Sequence, residues 1–280
     1  MAKKLVFEQF DNLTKFSKAL ERSTNAVFRG EYLSSKRERS GGWAGTRTYE
    51  EAMDLFNNGW DEKVAEIKKG LVQFEKANEK NVSYQKSRPA TSVVGFAPHV
   101  PNAILGLPNS MIMTERTPMK AKAVRIIYNM SMNANTDAED ILQAGLCVLK
   151  IAYSMEMKGY RVRIDVSPFT AKSGRENTSC VVCVKDWRQH IDIKKVAFPI
   201  ANPAMFRRLG FRWIETTPNL TDTGYTGGYG QSFENAEEEK KILTDAGVLD
   251  EKDYYLNVPL AKRNSFNVDK VAKAIGIKNF

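Results

Sequence analysis

Cysteine and histidine are scarce in this 280-residue sequence, with three of the first and two of the second. An odd, low cysteine count excludes a disulfide scaffold and fits a reducing compartment. His99 and His190 leave little material for a histidine-rich metal centre, and His190, two residues before Asp192, has no nucleophile to serve in a triad. No apolar run approaches the roughly 18 residues of a membrane span. The opening Met1-Ala2-Lys3-Lys4-Leu5-Val6-Phe7-Glu8 reaches a carboxylate before a signal core forms, so the expected location is cytoplasmic and off the membrane. The glycine-rich segment 224–230 lacks Gly-Lys-Ser/Thr, which excludes a Walker loop and leaves a surface loop or a lid as its readings.

Positive charge, by contrast, is in excess: 42 Lys plus Arg against 33 Asp plus Glu give a net +9. It is spread along the chain without a basic tail. Two small clusters stand out, Lys36, Arg37 and Arg39 in one and Arg207, Arg208 and Arg212 in the other. Such clusters are either solvated faces or a phosphate-contacting patch. On the second option Arg207, Arg208 and Arg212 are the candidate nucleic-acid contacts. A hydrophobic share of 42% with 27% charged residues is that of a globular chain with a real core.

Residues 1–120 read as a helical and irregular N-terminal extension, and residues 121–280 as an α/β domain. In the extension, helices are predicted from Thr48, with Thr48 and Glu51 as a capping box, and over residues 61–77. Half of the ten prolines fall within residues 81–120, where few apolar positions are periodic, so this segment is expected to be extended and wrapped around something. Beyond residue 124, strands alternate with helices, which predicts a mainly parallel sheet with helices on both faces. Strands are predicted at 124–130, 160–166, 179–185, 211–215 and 254–258, with a buried helix between the first two, opened by Thr136 and Glu139. The polar loop between the second and third strands is too short for a crossover helix, so those two form an antiparallel hairpin. Cys180 and Cys183, three apart on a strand, face opposite sides and read as core.

Ligands of open α/β sheets meet the loops at the carboxyl ends of the parallel strands, here residues 129–135, 167–178, 216–231 and 259–264. The first reads Asn129-Met130-Ser131-Met132-Asn133. It resembles the Asp-x-Ser-x-Ser metal-adhesion turn of von Willebrand factor A domains, and the long helix followed by an edge hairpin is similar to that family too. The resemblance implies a partner-binding turn built around a divalent cation. Asn129 stands for the family's Asp and Asn133 for its second Ser, so the turn keeps oxygen donors but loses its anion. A neutral site implies at most a weakly held divalent cation, on Ser131 and Asn133, and no other cofactor. Asn129, Ser131 and Asn133 are therefore the candidate partner contacts, with Asp222 and Thr223 from a later loop. The same crevice carries Lys172, Arg175, Lys262 and Arg263, an anion-site alternative opposed by Asp137, Glu139 and Asp140.

A second similarity, over about residues 40–275, is to an uncharacterised family of bacteriophage and prophage proteins. It rests on Gly45-Thr46, Tyr49-Glu50-Glu51-Ala52, Gly59-Trp60, the run from Gly106 to Met111, the Asn129-x-Ser131 turn, Lys185-Asp186 with Asp192, and the run from Asn202 to Phe211. It implies a phage-encoded protein of the host cytoplasm. The expectation is a binding protein with a protein partner, and nucleic-acid binding is the alternative. An enzyme is less expected, because the nominated loops offer only Asp222 and Glu176 as strand-edge carboxylates.

Overall fold

Val124, Ile126 and Tyr128 alternate with Arg125, Ile127 and Asn129, and both sets find cover, which makes this strand the middle of a sheet rather than its rim. A computed structural model describes residues 4–28, 33–38, 41–77, 88–115, 122–172, 176–221, 233 and 235–277. Its main sheet has five strands, β1 (Lys4–Phe10), β5 (Ala123–Asn129), β6 (Arg161–Lys172), β7 (Glu176–Lys185) and β8 (Tyr254–Asn257), in the order β1-β7-β6-β5-β8. All neighbours are parallel except β6 and β7, which form the expected antiparallel hairpin. The carboxyl ends of β5, β6 and β8 therefore share one edge with the amino ends of β1 and β7.

One face carries α6 (Ala138–Met157), α7 (Ile193–Ala201), α3 (Tyr49–Asn58) and α4 (Asp61–Ala77) over a core that includes Ile126, Val148, Phe169, Phe198 and Trp213. The other is covered by α9 (Ala236–Asp245), whose Ala236 and Leu243 meet Ile127, Val181 and Tyr255. At the opposite end of that second face lies a buried ionic layer: Asp165 accepts from Arg125 at 2.6 Å and from Arg163 at 2.7 Å, and Arg125 also reaches Asp253. Helix α6 packs so closely on α7 that a Cβ on Gly145 would lie 2.4 Å from the Ile200 carbonyl oxygen. Short helices α10 (Val258–Arg263) and α11 (Val268–Ala274) close the C-terminal end.

Two elements depart from the sequence reading. Lys4–Phe10 is a strand, paired parallel with β7 at the sheet edge, where residues of both faces are partly covered and the period-2 alternation is blurred. Residues 211–215, rich in strand-favouring Phe, Trp and Ile, are helical: a π-helical stretch at Met205–Gly210 runs straight into α8 (Phe211–Thr216). Propensity loses here to packing, because Arg212 and Thr216, one helical turn apart, both bond the carbonyl end of α1 (Leu13–Leu20). Thr48 caps α3 as predicted, accepting from the Glu51 N–H at 3.1 Å. The N-cap position of α6 falls on Asp137, whose side chain makes no capping bond, rather than on Thr136, whose carbonyl is taken by Arg207.

A second, three-stranded antiparallel sheet stands apart, formed by β2 (Arg88–Ser92), β3 (Ala97–Pro98) and β4 (Met111–Glu115) in the order β2-β4-β3, with α5 (Val100–Ile104) between β3 and β4. A short α-helix, α2 (Gly41–Ala44), precedes α3. Among the described residues no helix is long and apolar enough to cross a membrane.

Candidate functional site

Asn129 ends β5, and its side chain turns the backbone out of the strand: Oδ1 accepts from the Ser131 N–H at 2.9 Å. Its Nδ2 donates to Glu239 of α9 at 2.6 Å, so the amide is fully buried between sheet and helix. Ser131 is buried too, and its hydroxyl accepts from the Thr170 N–H. Thr170 Oγ1 lies 2.6 Å from Ser167 Oγ and 2.8 Å from Ser179 Oγ, extending a row of hydroxyls across β6 and β7. Asn257, opposite Asn129 in the register, caps α10 by accepting from the Leu260 N–H. The Tyr255 hydroxyl sits among Glu239, Asn129 and Asn257, and burial, reinforced by Glu239, raises its pKa well above the usual 10.

The structure places Asn129 and Ser131, the expected partner contacts, in the interior. The chain reaches the expected place, but their oxygens and amides face inward and serve neighbouring backbone and Glu239, so neither offers itself to a partner or a cation. Asn133 is exposed, just beyond the turn. Asp222, Thr223, Arg175 and the glycine-rich segment 224–230 lie outside the described residues. Among the described residues no group of three or more His, Cys, Asp or Glu side chains is placed to hold a metal. Lys262, nominated for an anion, pairs with Asp140 at 2.6 Å. Asp192 caps α7 and His99 caps α5, each accepting a backbone N–H.

Arg207, Arg208 and Arg212 do not form a surface patch. Arg207 and Arg208 are 0% exposed and Arg212 9%. Arg208 donates to the backbone carbonyls of Ser35, Arg37, Thr46 and Arg47, and Arg207 to those of Trp43 and Thr136 while stacking on the Trp43 ring at 4.2 Å. Arg212 bonds the carbonyls of Leu20 and Arg22 and the Thr24 hydroxyl. Planar guanidinium forks suit this work, since each satisfies several carbonyls of irregular chain at once. The cluster is a set of internal clamps that hold N-terminal segments onto the π-helical stretch, and it cannot reach a phosphate backbone. Sequence cannot separate the two cases, because a buried arginine and an exposed one look alike in it.

Residues 88–115 are the surface feature that sequence reasoning placed but misread. Wherever burial is described in this segment, no residue is buried. Val93, Val94, Phe96, Val100, Ile104, Leu105, Leu107 and Met113 are all exposed, Ile104 at 80% and Phe96 at 74%. Outside the segment, Val72 is the one other large hydrophobic exposed among the described residues. The arm is held in shape by polar bonds instead of a core: Phe96 N–H to the Ile112 carbonyl at 2.9 Å, His99 N–H to Ser110 at 2.7 Å, and Asn102 Nδ2 to Asn109 at 2.8 Å. Gly95 presses on β4, where a Cβ would lie 2.1 Å from the Ile112 oxygen. It was expected to wrap around something; instead it presents its apolar side chains outward. The available signal was the lack of charge, since no Lys, Arg, Asp or Glu lies between Arg88 and Glu115.

The molecule is thus an α/β protein with a mostly parallel five-stranded sheet, whose strand-edge Asn129 and Ser131 are bonded internally, and a separate antiparallel arm whose apolar groups lie exposed. The chain belongs to the family described as Domain of unknown function (DUF7192), whose model matches residues 2–279. No curated protein and no solved structure matches it.

Proposed function

We propose that this is an interaction protein, phage-encoded and working in the host cytoplasm, that holds a protein partner through the arm of residues 88–115. The observation that carries the reading is the exposure of eight large apolar side chains on a segment with no Lys, Arg, Asp or Glu between Arg88 and Glu115. Exposed large apolar side chains gathered on one segment point to a contact site, and depletion of charge is the mark of an interface centre. Burying a side chain such as Phe96 or Ile104 stabilises a complex by roughly 1.5–3 kcal/mol. Asn129 and Ser131 at the strand edge are tied to Glu239 and to backbone, so they do not supply that surface. The likeness to von Willebrand A domains is supported by the β7-β6-β5-β8 order with one reversed strand. It bears on the scaffold, and the site moves from the turn to the arm.

A photo-crosslinking phenylalanine analogue placed at Phe96, at Leu105 or at Lys241 of α9 tests this in cells making the full chain. Discrete protein adducts are expected from the two arm positions and not from Lys241. Arm positions that give no more adduct than Lys241 would overturn the reading.

A further inference from the structure

Between α4 and α6 runs a groove of about 330 Å³, lined by Ile67 and Leu71 of the first helix and by Leu142 and Leu146 of the second. Its volume lies at the lower end of the roughly 300–1,000 Å³ of small-molecule sites. Among the described residues that line it, the apolar ones are all aliphatic, and Gln73 is the one uncharged polar side chain. Gly70 lines it from the middle of α4, where glycine weakens a helix and close packing is the usual reason for it. Packing does not require this one: a Cβ on Gly70 would meet nothing within 4 Å, so the missing side chain leaves the groove open. Three lysines border the space, Lys63 and Lys69 from α4 and Lys150 from α6, against one carboxylate, Glu66. Lys63 is already matched, since its ammonium meets Glu66 at 2.7 Å and Glu139 in the first turn of α6 also acts on it. Among the described residues, Lys69 and Lys150 form no ion pair. Lysine stems lie along apolar surface while their ammonium groups stay in water, so these two leave positive charge at the rim of an aliphatic slot.

We propose that this groove binds a small amphiphilic carboxylate, its aliphatic chain laid on Ile67, Leu71, Leu142 and Leu146 and its head group met by Lys69 and Lys150. Charge complementarity selects the head. A cationic head is repelled by the two unmatched lysines and by a chain of net charge +9, and a neutral one leaves both lysines unused. The lining selects the tail. A ring finds no aromatic side chain to stack on, and a sugar or nucleobase finds a single amide, Gln73, among neutral hydrogen-bonding side chains. An unbranched chain needs only aliphatic contact, which the four side chains supply. The site is distinct from the arm of residues 88–115 and does not rest on the contact role given to that arm.

Isothermal titration calorimetry of the full chain tests this with octanoate, nonanoate and decanoate, and with octanol and octylammonium as neutral and cationic counterparts, all as monomers below micelle formation. One molecule of octanoate is expected to bind per chain, with affinity rising up to about fourfold for each added methylene, and octanol and octylammonium are expected to bind more weakly. The double variant Lys69→Gln/Lys150→Gln is expected to lose about three- to tenfold in octanoate affinity and to lose the preference over octanol. Gly70→Leu fills the slot and is expected to abolish binding with unchanged circular dichroism, because the added side chain enters open space. The two lysines lie at the rim, so their result stands whatever Gly70→Leu does to the helix. Absence of saturable octanoate binding, or octanol or octylammonium binding as tightly as octanoate, overturns the proposal. Octanoate binding that is unchanged in the lysine variant, or in a folded Gly70→Leu, puts the ligand elsewhere on the molecule and overturns it as well.

Discussion

Arg208 joins residues 35, 37, 46 and 47 to one side chain through four backbone carbonyls. Arg208→Met would leave those acceptors without their donor in the interior, at about 1–3 kcal/mol for each buried group not otherwise satisfied. A loss of at least about 3 kcal/mol is expected in chemical denaturation. Arg208→Lys recovers little of it, since one ammonium cannot reproduce the planar fork. An unchanged midpoint in Arg208→Met would contradict the clamp. Glu176 gives a pH-dependent counterpart. Burial pushes its carboxyl up, but the hydrogen bonds from Thr221 and from Lys4, at 2.8 and 3.0 Å, outweigh this and bring it below the usual 4.5. Folding therefore lowers its pKa, so its stabilisation is complete above 4.5 and fades as pH falls through the lowered value. Glu176→Gln is expected to cost about 1 kcal/mol at neutral pH, with the gap to wild type narrowing in acid denaturation series. A gap that widens on acidification would contradict it. At this scale the sequence exposes residue type but not burial, which is why the arginine cluster was legible and its role was not.

Helices α3, α4 and α6 follow from apolar periodicity, and the β6–β7 hairpin from a loop too short to cross over. What escaped was decided by distant contacts. Strand β1 lies at an edge with both faces half-covered, and α8 is helical because of what Arg212 and Thr216 bond on α1. The Asn129 turn was legible in place and not in use, since the acceptor of its amide, Glu239, lies 110 residues away in sequence. Close approach of α6 to α7 gives a test at this scale. Gly145→Ala forces the helices apart and is expected to cost about 1–3 kcal/mol by thermal or chemical denaturation. No cost would mean that α6 and α7 are less tightly seated. The three buried cysteines give another. Burial raises Cys180 well above its usual 9.0 and pushes Cys183 up to about 12 and Cys147 up to about 11. A thiol reagent at neutral pH is expected to label none of the three until the chain is unfolded.

Taken whole, the chain divides its chemistry unevenly. Charge and hydrogen-bonding groups are used inside, as the Arg125–Asp165–Arg163 layer, the arginine clamps and the strand-edge hydroxyls, while apolar surface is displayed on a neutral arm. The α/β class was legible because alternation of strands and helices is a local pattern. The arm was not, because whether an apolar residue faces a core or solvent depends on the rest of the molecule. The central claim is that this surface lies open on a lone chain and closes on association. Amide hydrogen exchange of the full protein, followed by peptide, measures it directly. On the chain alone the amides of residues 88–115 are expected to exchange far faster than those of β5 and β6. An arm as protected as β5 on the chain alone would contradict it.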